Sequence, residues 1–340
     1  MSPVERGTAA EREEALALTQ RLEEVPGGTV QVKRYPGTCG QGGLFFDQFR
    51  AETGGKGRVQ VYPVFPGIEA AFQCYLAAQV SFHHAPSGAV LELYHCRSGR
   101  IGWNMRGGTA VYLGAGDLSL HSADCCADSA MMLPLGYSTG LTLAVDLAVL
   151  GGDCPDILRE AGFSAQELAE RFCVGKPMAI PAGPELEGIF SPLYAAGEPL
   201  RQAYLKLKVQ ELLLFLSALR PGRGELTQYI SQKTELIREI HQLLTQDLSR
   251  RYTIEELARR FPINTASLKA VFKAVYGLPI ATYMKEYRVR QAMKLLRETD
   301  ENIAAISAKV GYETQGKFGR AFREVVGQLP SEYRREYQKR

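Results

Sequence analysis

The 340-residue chain predicts a multidomain α+β protein: an N-terminal jelly-roll β-barrel followed by a helical dimerisation segment, then an all-α C-terminal domain with two helix-turn-helix units. Three observations carry this expectation. The length exceeds what one ordinary core accommodates, and 45% hydrophobic content suits a fully globular chain of two or three domains. Short apolar runs broken by glycine fill residues 59–146, and the texture turns helical after Pro155. Two segments of the last third superpose as a repeat.

In chain order, residues 5–24 read as an exposed amphipathic helix that Gly27-Gly28 ends, inside a leading segment 1–58. Residues 59–150 supply the barrel through the runs Val59–Val64, Ile68–Leu76, Ala89–Cys96, Arg100–Met105, Thr109–Leu113, Asp117–Leu120 and Leu141–Asp146. Many short strands with turn signals at this spacing suit a sandwich or jelly roll. Residues 151–219 read as helices at Pro155–Ala161, Ser164–Phe172 and Pro199–Leu219, the last with Tyr204, Leu207, Glu211, Leu214 and Ala218 at helical spacing. Its Leu212–Leu216 run is apolar nearly all round, so this helix must bury more than one face, within its own domain or against a second subunit. Arg220-Pro-Gly-Arg-Gly224 breaks the helix and makes 220–232 a linker to the domain 233–340.

The net charge of +3 conceals a division. Residues 230–340 hold 21 Lys+Arg against 13 Asp+Glu, leaving 19 against 24 elsewhere. A basic domain on an acidic body is what results when one part faces phosphate. The N-terminus carries Glu5, Glu11, Glu13 and Glu14 with no apolar leader, and the stretch at Leu212–Leu219 falls short of a bilayer span, so a soluble cytoplasmic protein with no membrane partner is expected. The seven cysteines are irregularly spaced and absent from the C-terminal third, which argues against a secreted disulfide framework.

In the repeat, Ile254-Glu-Glu-Leu-Ala-Arg-Arg-Phe261 lies over Ile303-Ala-Ala-Ile-Ser-Ala-Lys-Val310, and Leu268, Phe272, Gly277 and Tyr283 lie over Phe318, Phe322, Gly327 and Tyr333, with one residue inserted in the second turn. In the first unit Ile254, Leu257, Ala258 and Phe261 form an apolar face, Pro262-Ile263 turns, and Asn264 caps a helix that buries Leu268, Val271 and Phe272. Thr265, Ala266, Lys269, Ala270 and Lys273 then face outward. In the second, Gly311-Tyr312 turns, Glu313 or Thr314 caps, and Phe318, Ala321 and Phe322 pack inward. Gln315, Gly316, Lys317, Gly319, Arg320 and Arg323 face outward. Between them Ile280–Glu298 reads as one long helix packing through Tyr283, Tyr287, Ala292, Leu295 and Leu296. A helix-turn-helix sets the start of its second helix against base edges while nearby lysines and arginines hold phosphates. Gln315 suits adenine and Arg320 guanine through paired hydrogen bonds. Thr265 and Lys269 are the first unit's candidates.

At these residues the chain resembles the AraC/XylS family of regulators over roughly 231–337. The likeness rests on Ile254–Ala258, Leu268–Phe272 with Gly277, Tyr287–Leu296, Ile303–Gly311, Phe318–Phe322 and Gly327–Tyr333. It implies that positions 266, 269, 270, 315, 316, 319 and 320 face bases. Ala266, Ala270, Gly316 and Gly319 offer little hydrogen bonding, so the first unit is expected to act mainly by phosphate grip and shape. The resemblance also implies a cupin-like N-terminal sensor, similar to barrels of this kind at Tyr112–Leu120, and double-stranded DNA, RNA polymerase, a small-molecule effector and a second copy of the chain as partners. Tyr204–Leu219 and Tyr229–Leu244 look most like a subgroup that includes regulators of iron-siderophore uptake.

Phe82, Tyr94, Trp103 and Tyr112 are the aromatic candidates for an effector pocket, with core packing as the competing role. Arg97, Arg100 and Arg106 suit an anionic ligand or plain solvation. Adjacent strand residues point to opposite faces, so His83 with His84, or His95 with Cys96, cannot share one ion. His121, Asp124, Cys125 and Cys126, clustered near a loop, are the metal candidates, and structural thiols and ordinary histidines the alternative. No resident cofactor and no catalytic residue is expected. A second reading retains a cupin-type or metal-dependent enzyme, or a metal or thiol sensor, fused to the DNA-binding domain.

Overall fold

The computed structural model describes residues 9–36, 46, 50–84, 87–105, 108–127, 129–174, 177–219, 226 and 229–337. The sequence-read linker at 220–224 lies outside them. The chain forms two compact units that divide in sequence between Tyr229 and Ile230.

The N-terminal unit runs α1 (Ala9–Arg21), β1 (Thr29–Arg34), β2 (Arg50–Thr53), β3 (Lys56–Phe65), β4 (Ile68–Leu76), β5 (Gln79–His83), β6 (Val90–Gly99), β7 (Ile101–Met105), β8 (Thr109–Leu113), β9 (Leu118–Ser122), β10 (Ser129–Met132), β11 (Tyr137–Asp146), α2 (Leu147–Gly152), α3 (Asp156–Glu160), α4 (Ala165–Phe172), β12 (Met178–Ile180), α5 (Pro184–Ala195) and α6 (Glu198–Ala218). One sheet orders its strands β1-β3-β4-β11-β6-β9-β12, and a second contains the order β8-β7-β10-β5-β2. The β1/β3 pair is parallel and the other pairs are antiparallel.

Strand alternation builds two apolar layers. Val59, Val61, Ala71, Tyr75 and Tyr94 of the first sheet meet Val80, Phe82, Trp103, Val111 and Met131 of the second. The opposite face of the first sheet, through Ile68, Ala70, Leu91, Leu93, Leu141 and Leu143, carries Leu147, Leu158, Leu168, Phe190, Leu205 and Leu212 of the helices. Sandwiched on both faces, β11 is buried at nine consecutive positions and reads as a continuous run.

The sequence reading placed the first strand at Val59 and missed β1, β2, β5, β10 and β12. Four of these, β2, β5, β10 and β12, have only three to five residues, too short for a period to register, and β1 and β2 leave alternate residues exposed or only half-buried. Helix α1 is not exposed all round: Ala15, Leu18 and Leu22 are buried with Cys74, Leu135 and Tyr137 of the sheet. Helix α6 buries Leu205, Val209, Leu212, Leu213 and Leu216. The stripe Tyr204, Leu207, Glu211, Leu214 and Ala218 lies on its exposed side instead.

The C-terminal unit is all helix: α7 (Ser231–Gln246), α8 (Ile254–Arg260), α9 (Thr265–Tyr276), α10 (Ile280–Glu298), α11 (Ile303–Lys309), α12 (Gln315–Val326) and α13 (Pro330–Tyr337). At 19 residues α10 is about 28 Å long, and it serves two small cores. Near its start Tyr283 packs edge-on against Phe272 and bonds His241 Nε2 at 2.9 Å, while His241 stacks on Tyr276. Near its end Val289, Ala292 and Leu296 join Ile306, Val310, Phe318, Phe322 and Tyr333. Each core therefore holds one short helix pair, α8/α9 or α11/α12, against the shared strut.

Candidate nucleic-acid interface

Both pairs have the same local chemistry. Asn264 Oδ1 accepts the Ser267 N–H at 2.8 Å to start α9, and Thr314 Oγ1 accepts the Lys317 N–H at 3.3 Å to start α12. Thr314 rather than Glu313 is thus the cap. Both helices end on a left-handed glycine, Gly277 and Gly327, whose N–H returns to the carbonyl of Lys273 or Arg323. The preceding helices are capped too. Thr253 and Glu256 form a reciprocal capping box on α8, and Asn302 accepts the Ala305 N–H on α11, neither singled out from sequence.

With Leu268, Val271 and Phe272 buried, Thr265, Ala266, Lys269, Ala270 and Lys273 are exposed along α9. With Phe318, Ala321 and Phe322 buried, Gln315, Gly316, Lys317, Arg320 and Arg323 are exposed along α12, and Gly319 is half-exposed. Lys317 is engaged by Glu313 at 2.5 Å, an ion pair that also lowers the Glu313 pKa. Lys269, Lys273, Arg320 and Arg323 form no ion pair with a described residue.

The turn before α12 is fastened to the rest of the unit by two arginines, Arg288 buried and Arg251 exposed. Arg251 Nε donates to the Gly311 carbonyl at 2.9 Å and its guanidinium lies over the Tyr312 ring, while Arg288 Nη2 donates to the Arg250 carbonyl at 3.1 Å. Sequence periodicity gave no hint of this, because Arg288 interrupts the apolar face of α10 on which it is buried.

The match of residues 257–336 to the family model described as "Helix-turn-helix domain" covers these helix pairs. A putative AraC-like transcription regulator of Streptomyces lividans is 33% identical over 92 residues, which is 27% of this chain and 30% of that protein. The HTH-type transcriptional activator RhaR of Mannheimia succiniciproducens is 29% identical over 97 residues, 28% of this chain and 35% of that one. The C-terminal unit is thus similar to the DNA-binding domains of AraC-type regulators. Among solved structures, the C-terminal domain of AraT, a response regulator from Geobacillus stearothermophilus, shares 28% identity over 30% of this chain and 84% of that domain, with a TM-score of 0.29. The chain spans about a third of the length of these two curated relatives. No described helix is long and apolar enough to cross a membrane.

Outside the AraC-type domain, the structure separates the effector candidates. Phe82 and Trp103 line a small cavity between the sheets. Tyr94 is fully buried, edge-on to Trp103 and bonded to Ser138 at 3.2 Å, which is a core role. Tyr112 belongs to the opposite face of β8 from Val111 and Leu113, covering Gly102 on the neighbouring strand. Arg97 lies over the Tyr194 ring, and Arg106 is outside the described residues.

The metal candidates also part company. His121 and Cys126 are buried, whereas Asp124 and Cys125 lie in a turn at intermediate exposure. Among the described residues, the donor atoms that converge belong to His84, Glu92 and Cys126. Adjacent residues of the neighbouring pairs face opposite ways: His84 is buried while His83 is exposed. His95 stacks on Phe190 on the helix side, while Cys96 joins the intersheet core.

Proposed function

We propose that this chain is a dimeric, effector-responsive transcription regulator of AraC type. Its α8/α9 and α11/α12 pairs are two helix-turn-helix units that enter successive major grooves on one face of double-stranded DNA. The observation that carries this reading is the pair of side-chain-capped helices, α9 and α12, each with an exposed first turn, held at the two ends of one strut. Successive major grooves on one face lie about 34 Å apart, comparable with the length of α10.

The two units are unequal. Gln315 and Arg320 are the base readers of the second, and Arg323 its phosphate anchor. The first presents Lys269 and Lys273 among Ala266 and Ala270 and acts chiefly by phosphate grip. The N-terminal unit is the cupin-like sensor. It dimerises through α6, whose exposed Leu200, Tyr204, Leu207, Glu211, Leu214 and Ala218 repeat at alternating steps of four and three, the spacing of a two-helix seam. An effector that binds one dimer geometry better than another shifts promoter occupancy, and RNA polymerase is the partner acted upon.

A gel-shift series with salt titration tests the reading. Sequence-specific binding with a steep salt slope, weakened by combined Lys269→Ala and Arg320→Ala, is expected. Full affinity in that double variant would overturn the site assignment.

A further inference from the structure

Glu92 occupies a position that apolar packing does not explain. On β6 its neighbours at alternate positions, Val90 and Tyr94, belong to the core between the two sheets, and Glu92 shares their face with its side chain only 12% exposed. No described lysine or arginine pairs with it, and a carboxylate so placed is costly without a cation. Its surroundings are metal-ligand types. Cys126 Sγ lies 2.9 Å from Glu92 Oε2, and His84 Nε2 lies 3.5 Å from the same sulfur. The donor atoms of all three fall within 4.8 Å of one another. His121, the cross-strand partner of Glu92, brings Nε2 to 3.8 Å from that carboxylate, and neither of its ring nitrogens has a hydrogen-bond partner.

These separations fit a coordination sphere. Tetrahedral bonds of about 2.0 Å to nitrogen or oxygen and 2.3 Å to sulfur put neighbouring donor atoms roughly 3.3–3.6 Å apart. The Cys126–Glu92 and His84–Cys126 separations, 2.9 and 3.5 Å, lie within about half an ångström of that range, and His121, outside this cluster of three, reaches it through Glu92 at 3.8 Å. Mixed imidazole, carboxylate and thiolate donors disfavour calcium and magnesium, which want oxygen alone, and suit the borderline ions. The site draws on both sheets, with His84 just beyond β5, Glu92 on β6, His121 on β9 and Cys126 in the turn that follows.

We propose that His84, Glu92 and Cys126, completed by His121, bind one divalent transition-metal ion of the zinc class inside the N-terminal unit. Coordination displaces the Cys126 thiol proton to solvent and forms a metal–thiolate bond, with no change of oxidation state.

The full-length protein, reduced and stripped with chelator, is titrated with Co2+ and then Zn2+. The expected result is one Co2+ per chain with a sulfur-to-metal charge-transfer band and the intense visible bands of a tetrahedral site, all bleached by Zn2+. Cys126→Ser removes the charge-transfer band. His84→Ala and Glu92→Gln weaken Zn2+ by more than about tenfold, since even losing an outer partner costs that much. Cys125→Ser and Asp124→Asn retain the spectrum. Absence of the band in the native chain overturns the site, as does its persistence in Cys126→Ser or its loss in Cys125→Ser. Should Cys126→Ser fail to fold, the native spectrum and the Glu92→Gln affinity decide. No DNA enters the measurement, so its failure leaves the DNA-binding reading untouched.

Discussion

Replacing Gly311 by alanine is expected to be the most damaging single-methyl change in the C-terminal unit. Gly311 has φ +82°, where an alanine costs about 1–2 kcal/mol. The new Cβ would stand 2.1 Å from the Leu248 carbonyl oxygen, a backbone atom that no rotamer change removes. Relief requires the loop before α8 to retreat, pulling on the Arg251 bond to the Gly311 carbonyl and the Arg288 bond to the Arg250 carbonyl. Losing one such charged hydrogen bond costs about 1.5–3 kcal/mol. The total is about 3–5 kcal/mol, which lowers the melting temperature of a domain this size by roughly 12 °C or more. Gly316→Ala and Gly319→Ala are the controls: a Cβ meets nothing within 4 Å at either, so each stabilises α12 by about 0.5–1 kcal/mol. Circular-dichroism melts of the full chain measure all three. A Gly311→Ala protein as stable as the native one would refute the reasoning.

Other expectations follow the same physics. Asn264→Ala and Thr314→Ala each remove a helix cap and should cost about 1 kcal/mol, additively because they serve different helix pairs; denaturant titration reads the sum. Leu207 is 62% exposed, so Leu207→Glu should leave the fold intact yet shift the protein from dimer to monomer in sedimentation; an unchanged dimer removes α6 as the interface. His95 has its pKa pushed down to about 4 by burial, so it stays neutral in the fold while the unfolded chain takes up a proton below about 6.5. Its contribution is fully present above pH 6.5 and falls by about 3 kcal/mol as pH drops toward 4. His121, also lowered by burial, acts with the same sign. His95→Gln should flatten that decline in urea titrations at successive pH values, and equal slopes in both proteins would exclude His95.

The helical half was legible because each helix buries one face against few alternatives: Leu268, Phe272, Phe318 and Phe322 fix the orientation of α9 and α12 and so decide which residues face out. Helix α6 was harder. Leucines populate both of its sides, and only the packing distinguishes Leu212 and Leu216, which meet the sheet, from Leu207 and Leu214, which do not. In the sheet-rich N-terminal unit, long apolar runs identified the central strands, whereas strands such as Ser129–Met132 owe their pairing to neighbours distant in sequence. The Glu92 cluster was half visible. Phe82 points inward and so does His84 two residues on; Val90 and Tyr94 point inward and so does Glu92 between them. That β5, β6 and the turn after β9 converge on one point is a property of two sheets facing each other, which no local pattern encodes.

The central claim is the division of labour between two DNA-reading units. Its most direct test compares Arg320→Ala with Lys273→Ala by titrating the full-length protein against its operator and every single-base variant of it across a salt series. Arg320→Ala should lose about 1–3 kcal/mol on the native operator and become indifferent to base identity at one position within the second unit's groove. Lys273→Ala should weaken all sequences nearly equally and reduce the log–log salt slope by about 0.9. Equal, base-independent losses in both variants, or native affinity in Arg320→Ala, would contradict the assignment of reading to α12 and gripping to α9.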